Sequence, residues 1–276
     1  MAKIIKLILS FRHELMVLQY YFNGEFMNTQ VKGIIISETD FAEYDKYITL
    51  LTYESGKISV FCKGVRRKNS PLINRARTFV FGQFELFFNK DRYILKDVEV
   101  IERFFEITED IERFAVCSYF LQLASKLSDT DFPNKDTTRT LISALYAISK
   151  QKRNISLVKS VVEIRLMSIA GFPPVIDKCG ICNAPSNTII PFFDTMQGQV
   201  CCSDCVGKNP YLHEISMGIL RAMYHILTCD VQKLYSFELN ENNIEILSKV
   251  SEEYVLKQTE YKFKSLDFYK TIIQGG

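Results

Sequence analysis

The chain has 276 residues, 47% of them hydrophobic and 24% charged, which excludes a disordered chain and supplies a sizeable core for two domains or one domain with an insertion. A net charge of +2 excludes a uniformly basic or acidic protein, so any preference for a charged partner must come from uneven placement. Eight cysteines, four of them in two CxxC pairs, point to a reducing compartment and metal-holding thiolates rather than disulfides.

The first segment, MAKIIKLILSFRHELMVLQYYFNGEF, opens like a signal peptide. Lys6 interrupts its apolar run, Arg12-His13-Glu14 ends it, and no small-x-small cleavage site follows. It is also too short and broken to span a membrane. Two readings remain: an added amphipathic helix, or upstream sequence fused by a misplaced start codon. We favour the second, because a recognisable domain pattern starts just after Met27. No later segment approaches membrane-spanning length, so a cytoplasmic, nucleoid-associated protein is expected.

From Val31 the pattern is strand-like. VKGIIIS is a short apolar run, KYITLLT alternates, and KISVFCKG is rich in β-branched and aromatic residues. Glu54-Ser55-Gly56 marks a hairpin turn. FGQFELFFN and RYILKDVEVIERF follow, joined by Asn89-Lys90-Asp91. Five short strands with tight connections predict a small β-barrel. Between the third and fourth lies FCKGVRRKNSPLINRAR, with six cations (Lys63, Arg66, Arg67, Lys68, Arg75 and Arg77) and no carboxylate. No Asp or Glu occurs between Glu54 and Glu85. This is a long loop, with room for a short helix over Leu72 to Ala76. It is either a solvated surface or a polyanion-binding rim, and a small barrel behind it favours the rim. Trp is absent, so base stacking would fall to Tyr44, Tyr47, Tyr53 or Phe61, unless these belong to the core.

After Phe105 the spacing becomes helical. EDIERFAVCSYFLQLASKLS, TRTLISALYAISK and ISLVKSVVEIRLMSIAG each carry an apolar face. Ser156 is a candidate cap for the last, and Gly171 before Phe172-Pro173-Pro174 stops it. Lys150, Lys152 and Arg153 read as cations suited to a helix C-terminus. Helices resume at SMGILRAMYHILTC, capped by Ser216, and end with NNIEILSKVSEEYVLKQTEY. Expected divisions are a leader at 1–26, a barrel at 27–105, and a helical domain at 106–276 with a cysteine-rich insertion at 175–211.

That insertion reads C-x2-C-x19-C-x2-C, with Cys179 and Cys182, then Cys202 and Cys205. Two such knuckles supply four thiolates to one tetrahedral ion and close its shell, so a structural zinc ribbon is expected. Gly180 and Gly207 stand where knuckles relax their backbone. Cys201 would make a C-x3-C knuckle and is set aside as a bystander. A redox pair would need a strand leading into a helix, which Gly171-Phe172-Pro173-Pro174 does not supply. Cys62, Cys117 and Cys229 read as buried thiols.

The string GIIISETDFAEYDKYITLLTYESGKISVFCKGVRRKNS resembles the amino-terminal OB domain of the RecO DNA repair and recombination-mediator proteins. GFPPVIDKCGICNA, GQVCCSDC and FKSLDFY resemble the later segments of that family. The likeness runs from about Met27 to Tyr269. Residues 1–26 have no counterpart, and Gln199 replaces a usual Gly. The resemblance implies an OB-fold barrel followed by a helical domain with an inserted zinc ribbon. It implies binding of single- and double-stranded DNA, annealing of complementary strands, and work with RecR to load RecA onto DNA coated by single-stranded DNA-binding protein. The DNA contacts would fall on Lys63, Arg66, Arg67 and Lys68, then Arg75 and Arg77. Six phosphate contacts on a single strand would give a log–log salt slope of roughly −4.

Two other functional classes compete with this reading. A zinc-ribbon adaptor would bind proteins only and leave the basic loop idle. An enzyme would need an acid–base group, and the three histidines are His13 in the leader, His225 in an apolar helix, and His213 at an expected helix start. No P-loop, nucleophile elbow or dinucleotide fingerprint occurs, so a non-enzymatic protein is expected.

Overall fold

The computed structural model describes residues 27–275 apart from 90–91, 131, 189–190 and 208. The expected leader at 1–26 and the tip of the Asn89-Lys90-Asp91 turn lie outside the described residues. Strands β1 (Met27–Phe41), β2 (Asp45–Thr52), β3 (Lys57–Cys62), β4 (Val80–Asn89) and β5 (Arg92–Arg103) close a barrel in the order β1-β2-β3-β5-β4. β1 pairs antiparallel with β2 and with β4, while β3 and β5 meet in parallel. This is the OB-like arrangement of a five-stranded barrel.

Alternation in the sequence sets the faces. Ile48 and Leu50 of β2 and Ile58, Val60 and Cys62 of β3 fill the barrel with Ile35, Phe84, Leu86 and Val98. β1 breaks register between Ile35 and Ser37. Such bulges bend a strand enough for the sheet to close. Gly33 and Gly82 face each other across β1 and β4. A Cβ would stand 2.5 Å from the Leu51 carbonyl oxygen at Gly33, and 2.5 Å from that of Glu99 at Gly82. Only glycine permits that tight coil. The Tyr53–Gly56 turn closes on Thr52, whose N–H donates to the Gly56 oxygen at 2.9 Å, with Gly56 at φ 68°.

The opposite face of β1 and β2 is also buried. Ile34, Ile36 and Leu51, with Phe79 and Phe81, join the core of the helical half. That half contains α1 (Ile111–Leu127), α2 (Lys135–Ser149), α3 (Ile155–Ile169), α4 (Met217–Thr228), α5 (Glu241–Thr259) and α6 (Lys264–Gly275). Lys57 Nζ donates to the Ser125 oxygen at 2.8 Å, and Thr138 Oγ1 to the Thr52 oxygen at 3.3 Å, across the junction.

Ser216 caps α4, accepting from the Ile219 N–H at 3.1 Å. The cap of α3 is Asn154, which accepts from the Leu157 N–H at 3.0 Å. Ser156, expected there, lies inside the first turn, because Asn154 binds the exposed N–H groups first. Gly171 ends α3 at φ 94°. Lys150 follows α2 and pairs with Glu102 and Glu106. α6 was not foreseen in the sequence. Its apolar residues Leu266, Tyr269, Ile272 and Ile273 do fall at helical spacing, with Leu266 and Tyr269 buried.

One polar network crosses this core. Lys159, 1% exposed, bonds Glu163 at 3.1 Å and Glu252 at 3.0 Å. The Tyr119 and Ser251 hydroxyls both donate to Glu163, at 2.9 and 2.6 Å. Lys270 reaches Glu252 from α6. Burial pushes the Glu163 carboxyl up, Lys159 and the hydroxyl donors pull against it, and the balance stays raised.

Candidate nucleic-acid interface and metal centre

The β3–β4 connection, residues 63–79, contains turns and no helix. The short helix expected over Leu72 to Ala76 is a single turn, with the Arg75 and Ala76 N–H groups both donating to Leu72 oxygen at 3.0 Å. Its apolar residues do not form a helix face. Val65, Leu72 and Ala76 plug into the end of the barrel core and pin the segment instead. Gly64, at φ 63°, turns the chain, and its N–H donates to Asp45 Oδ1 at 2.6 Å.

The six cations divide into two groups. Arg66 pairs with Asp40 at 3.1 Å and donates to the Ala42 oxygen at 3.3 Å. Arg75 pairs with Asp97 at 2.6 Å and donates to the Val98 oxygen at 3.0 Å. Arg77 donates to the Ile73 oxygen at 3.3 Å and lies near Glu38. It lines a cleft of about 910 Å³ between the barrel and α1, with Phe79, Phe104 and Phe114. Lys63, Arg67 and Lys68 are exposed and form no ion pair with any described residue. The local absence of acid in the sequence is thus offset in space by β1 and β5.

Glu38 also holds Lys46, which is 4% exposed, and receives the Thr78 N–H and hydroxyl. Partial burial pushes the Glu38 carboxyl up. Lys46, the Thr78 N–H and Arg77 outweigh this and hold it below the ordinary glutamate range.

Beside the cations lies an aromatic group. Phe41 packs on Tyr47 at 5.4 Å and on Phe61 at 6.1 Å, centre to centre, with Tyr47 and Phe61 5.2 Å apart. The Arg92 guanidinium sits 5.0 Å from the Phe61 centre, and that of Arg67 5.6 Å from the Tyr44 centre. Of the aromatics named from sequence, Tyr44, Tyr47 and Phe61 share this surface. Tyr53 does not, packing instead on Phe81 next to the helical core. Phe41, which ends β1, joins Tyr47 and Phe61 through contacts that only the closed barrel creates.

The insertion holds a small sheet of β6 (Pro191–Asp194), β7 (Gln199–Cys202) and β8 (Leu212–Glu214), in the order β7-β6-β8, with Cys201 and Cys202 ending β7 and Cys179, Cys182 and Cys205 outside its strands. In the first knuckle the Asn183 N–H donates to Cys179 oxygen at 3.0 Å, and in the second the Cys205 N–H donates to Cys202 oxygen at 3.0 Å. The sulfurs of Cys179, Cys182, Cys202 and Cys205 all lie within 4.8 Å of one another, so these four could hold a metal ion. Cys182 and Cys202 Sγ are 3.7 Å apart. A tetrahedron with metal–sulfur bonds of about 2.3 Å needs edges of roughly 3.8 Å. Burial pushes the Cys179 thiol up, but N–H donors from Cys182, Ile181 and Cys202 bring it down to about 6. Cys201 lies outside the cluster, and burial pushes it up to about 11.

The glycine expectations need correction. The left-handed residue of the first knuckle is Asn183 at φ 62°, and neither Gly180 nor Gly207 has positive φ. A Cβ at Gly180 would first meet the end of the flexible Gln199 side chain, 2.0 Å from its Oε1, which can swing aside. His213 and Glu214 belong to strand β8 and not to a helix start, and His213 bonds Glu253 of α5. Cys62 and Cys117 are buried, while Cys229 is half-buried.

A family model described as the recombination protein O N terminal matches residues 27–104, and one described as its C terminal matches 108–267. The chain belongs to the RecO family. Among RecO relatives, the DNA repair protein of Acetivibrio thermocellus is 30% identical over 88% of this chain and 96% of that protein. That of Caldicellulosiruptor saccharolyticus is 29% identical over 88% and 98% respectively. That of Halalkalibacterium halodurans is 25% identical over 90% and 96%. The RecO N-terminal match spans the barrel and the basic segment, and the C-terminal match spans the four cysteines. No helix among the described residues is long and apolar enough to cross a membrane.

Glu38→Gln would leave the Lys46 ammonium without a counter-charge. The expected loss is about 2–3 kcal/mol, less than for a fully buried pair because Glu38 keeps 30% side-chain exposure. Urea titration measures it. The carboxyl is held low in the folded state, so its contribution is present at neutral pH and fades as pH falls below about 4. The variant's stability should therefore converge on the parent's in acid.

Proposed function

We propose that the chain is a non-enzymatic DNA repair mediator that binds DNA through the barrel face carrying Lys63, Arg67 and Lys68. The observation that carries this reading is the exposure of those three cations without a carboxylate partner among the described residues, next to aromatic rings on an OB-like barrel. Arg66, Arg75 and Arg77 serve chiefly to hold the segment in place, and add phosphate contacts only where their acids yield. Family membership supports a role in DNA repair. Residues 27–105 would be the DNA-binding unit, and 106–276 the helical scaffold with the insertion at 175–211.

The chemistry requires no proton transfer. Cationic side chains replace condensed counterions on the phosphates and screen the repulsion between two strands. Held close, complementary strands anneal. On the family resemblance, the chain acts in the cytoplasm with RecR, single-stranded DNA-binding protein and, indirectly, RecA. Zinc fits the four-thiolate donor set, since a closed soft tetrahedral shell suits it and leaves no open catalytic position. Cys179, Cys182, Cys202 and Cys205 would hold it, and it would cross-link the two knuckles.

Arg67→Glu with Lys68→Glu should weaken binding to a labelled single strand at least about ten-fold near 0.1 M salt, and slow annealing in parallel. Unchanged binding in a folded variant would favour an adaptor that meets proteins only. Cys182→Ser should release the metal and lower the denaturation midpoint, while the folded fraction keeps its DNA affinity. Equal zinc content in variant and parent would contradict the assignment of these ligands.

A further inference from the structure

Phe41 is 51% exposed and Tyr44 42%; rings elsewhere are as exposed, but these two flank the turn that Arg66 and Arg67 touch. They do not stand singly. Phe41 meets Tyr47 and Phe61 at interplanar angles of 78° and 82°, so the ring is held on edge-to-face contacts rather than loose. Tyr47 and Phe61 are opposite residues of β2 and β3. Tyr44 is fixed from the other side, because the Arg66 N–H donates to its carbonyl at 2.9 Å and Arg67 covers its ring. The β1–β2 turn and the start of the basic segment are therefore one surface. Arg92, at the start of β5, sits at the far edge of the same aromatic group.

A ligand for this surface must offer flat π-faces at intervals along a polyanion. Single-stranded nucleic acid does, whereas duplex DNA hides its base faces in the stack. We propose that Phe41 and Tyr44, backed by Tyr47 and Phe61, form a shelf on which unpaired bases stack while Lys63, Arg67 and Lys68 hold the adjoining phosphates. The inference rests on the DNA-binding reading and adds to it the choice of strand state. Stacking engages the face of a base and leaves its pairing edge open. A strand held this way stays competent to meet its complement. Stacking also tolerates any base, since each has a π-face.

The test uses the full chain and two oligomers of equal length, one of thymidines and one abasic, so that charge is constant and only the bases differ. The parent should prefer the thymidine strand by about ten-fold. Phe41→Leu with Tyr44→Leu should remove most of that preference while leaving the salt dependence intact. The chain contains no tryptophan, so Phe41→Trp supplies a single reporter whose emission should be quenched by the thymidine strand and not by the abasic one. Equal affinity of the parent for both strands, or an unquenched reporter on a bound strand, would overturn the shelf while leaving the cationic interface standing. Failure of the parent to bind either oligomer in dilute buffer would overturn both.

Discussion

Glu38, Asp40 and Asp97 reach from strands β1 and β5 into a segment that has no acid of its own. Everything about the candidate interface follows from how those three carboxylates are placed. Arg66 and Arg75 are drawn down onto the barrel, Arg77 is drawn toward the junction with α1, and Lys63, Arg67 and Lys68 are left facing water. A run of cations in solution would repel itself and spread. Pinned by Val65 and Ala76 in the barrel core and by these ion pairs, the segment presents a defined set of charges. Pre-organisation of this kind lowers the ordering cost when a flexible polyanion docks.

The rest of the molecule serves as a mount. The barrel's second face is covered by the helices, so it is steadied on one side and open on the other. The helical core is in turn tied through Lys159 and Glu163, which connect α1, α3, α5 and α6. The four cysteines close the insertion, whose small sheet meets α5 through His213 and Glu253. These four cysteines could hold a metal ion, and structural zinc in isolated modules contributes about 10–16 kcal/mol, enough to order such a segment.

Much of this was legible in the chain. Alternation in KYITLLT and KISVFC marks the barrel, and two CxxC pairs mark the thiolate cluster, because each signal is local. What stayed hidden depends on contacts between distant residues. Asp40 and Arg66, or Asp97 and Arg75, meet only once the barrel has closed, so the basic segment reads as wholly uncompensated. Lys159 and Glu163 sit at i and i+4 and look like a surface pair, yet both are buried. Phe41 reads as the end of an ordinary strand, and only the fold sets it beside Tyr47 and Phe61. Asn154 rather than Ser156 caps α3 because two competent caps stood two residues apart, and spacing alone could not rank them.

Barrel carboxylates pair with Arg66 and Arg75, and Arg77 lies on the Ile73 oxygen near Glu38, which leaves three of the segment's six cations facing water. The salt dependence of affinity for a short single strand tests this division most directly, because the log–log slope counts the phosphates neutralised, at about 0.7 per contact. Three free cations predict a slope of roughly −2. A slope near −4 would mean that all six engage and the ion pairs do not constrain them, contradicting the account.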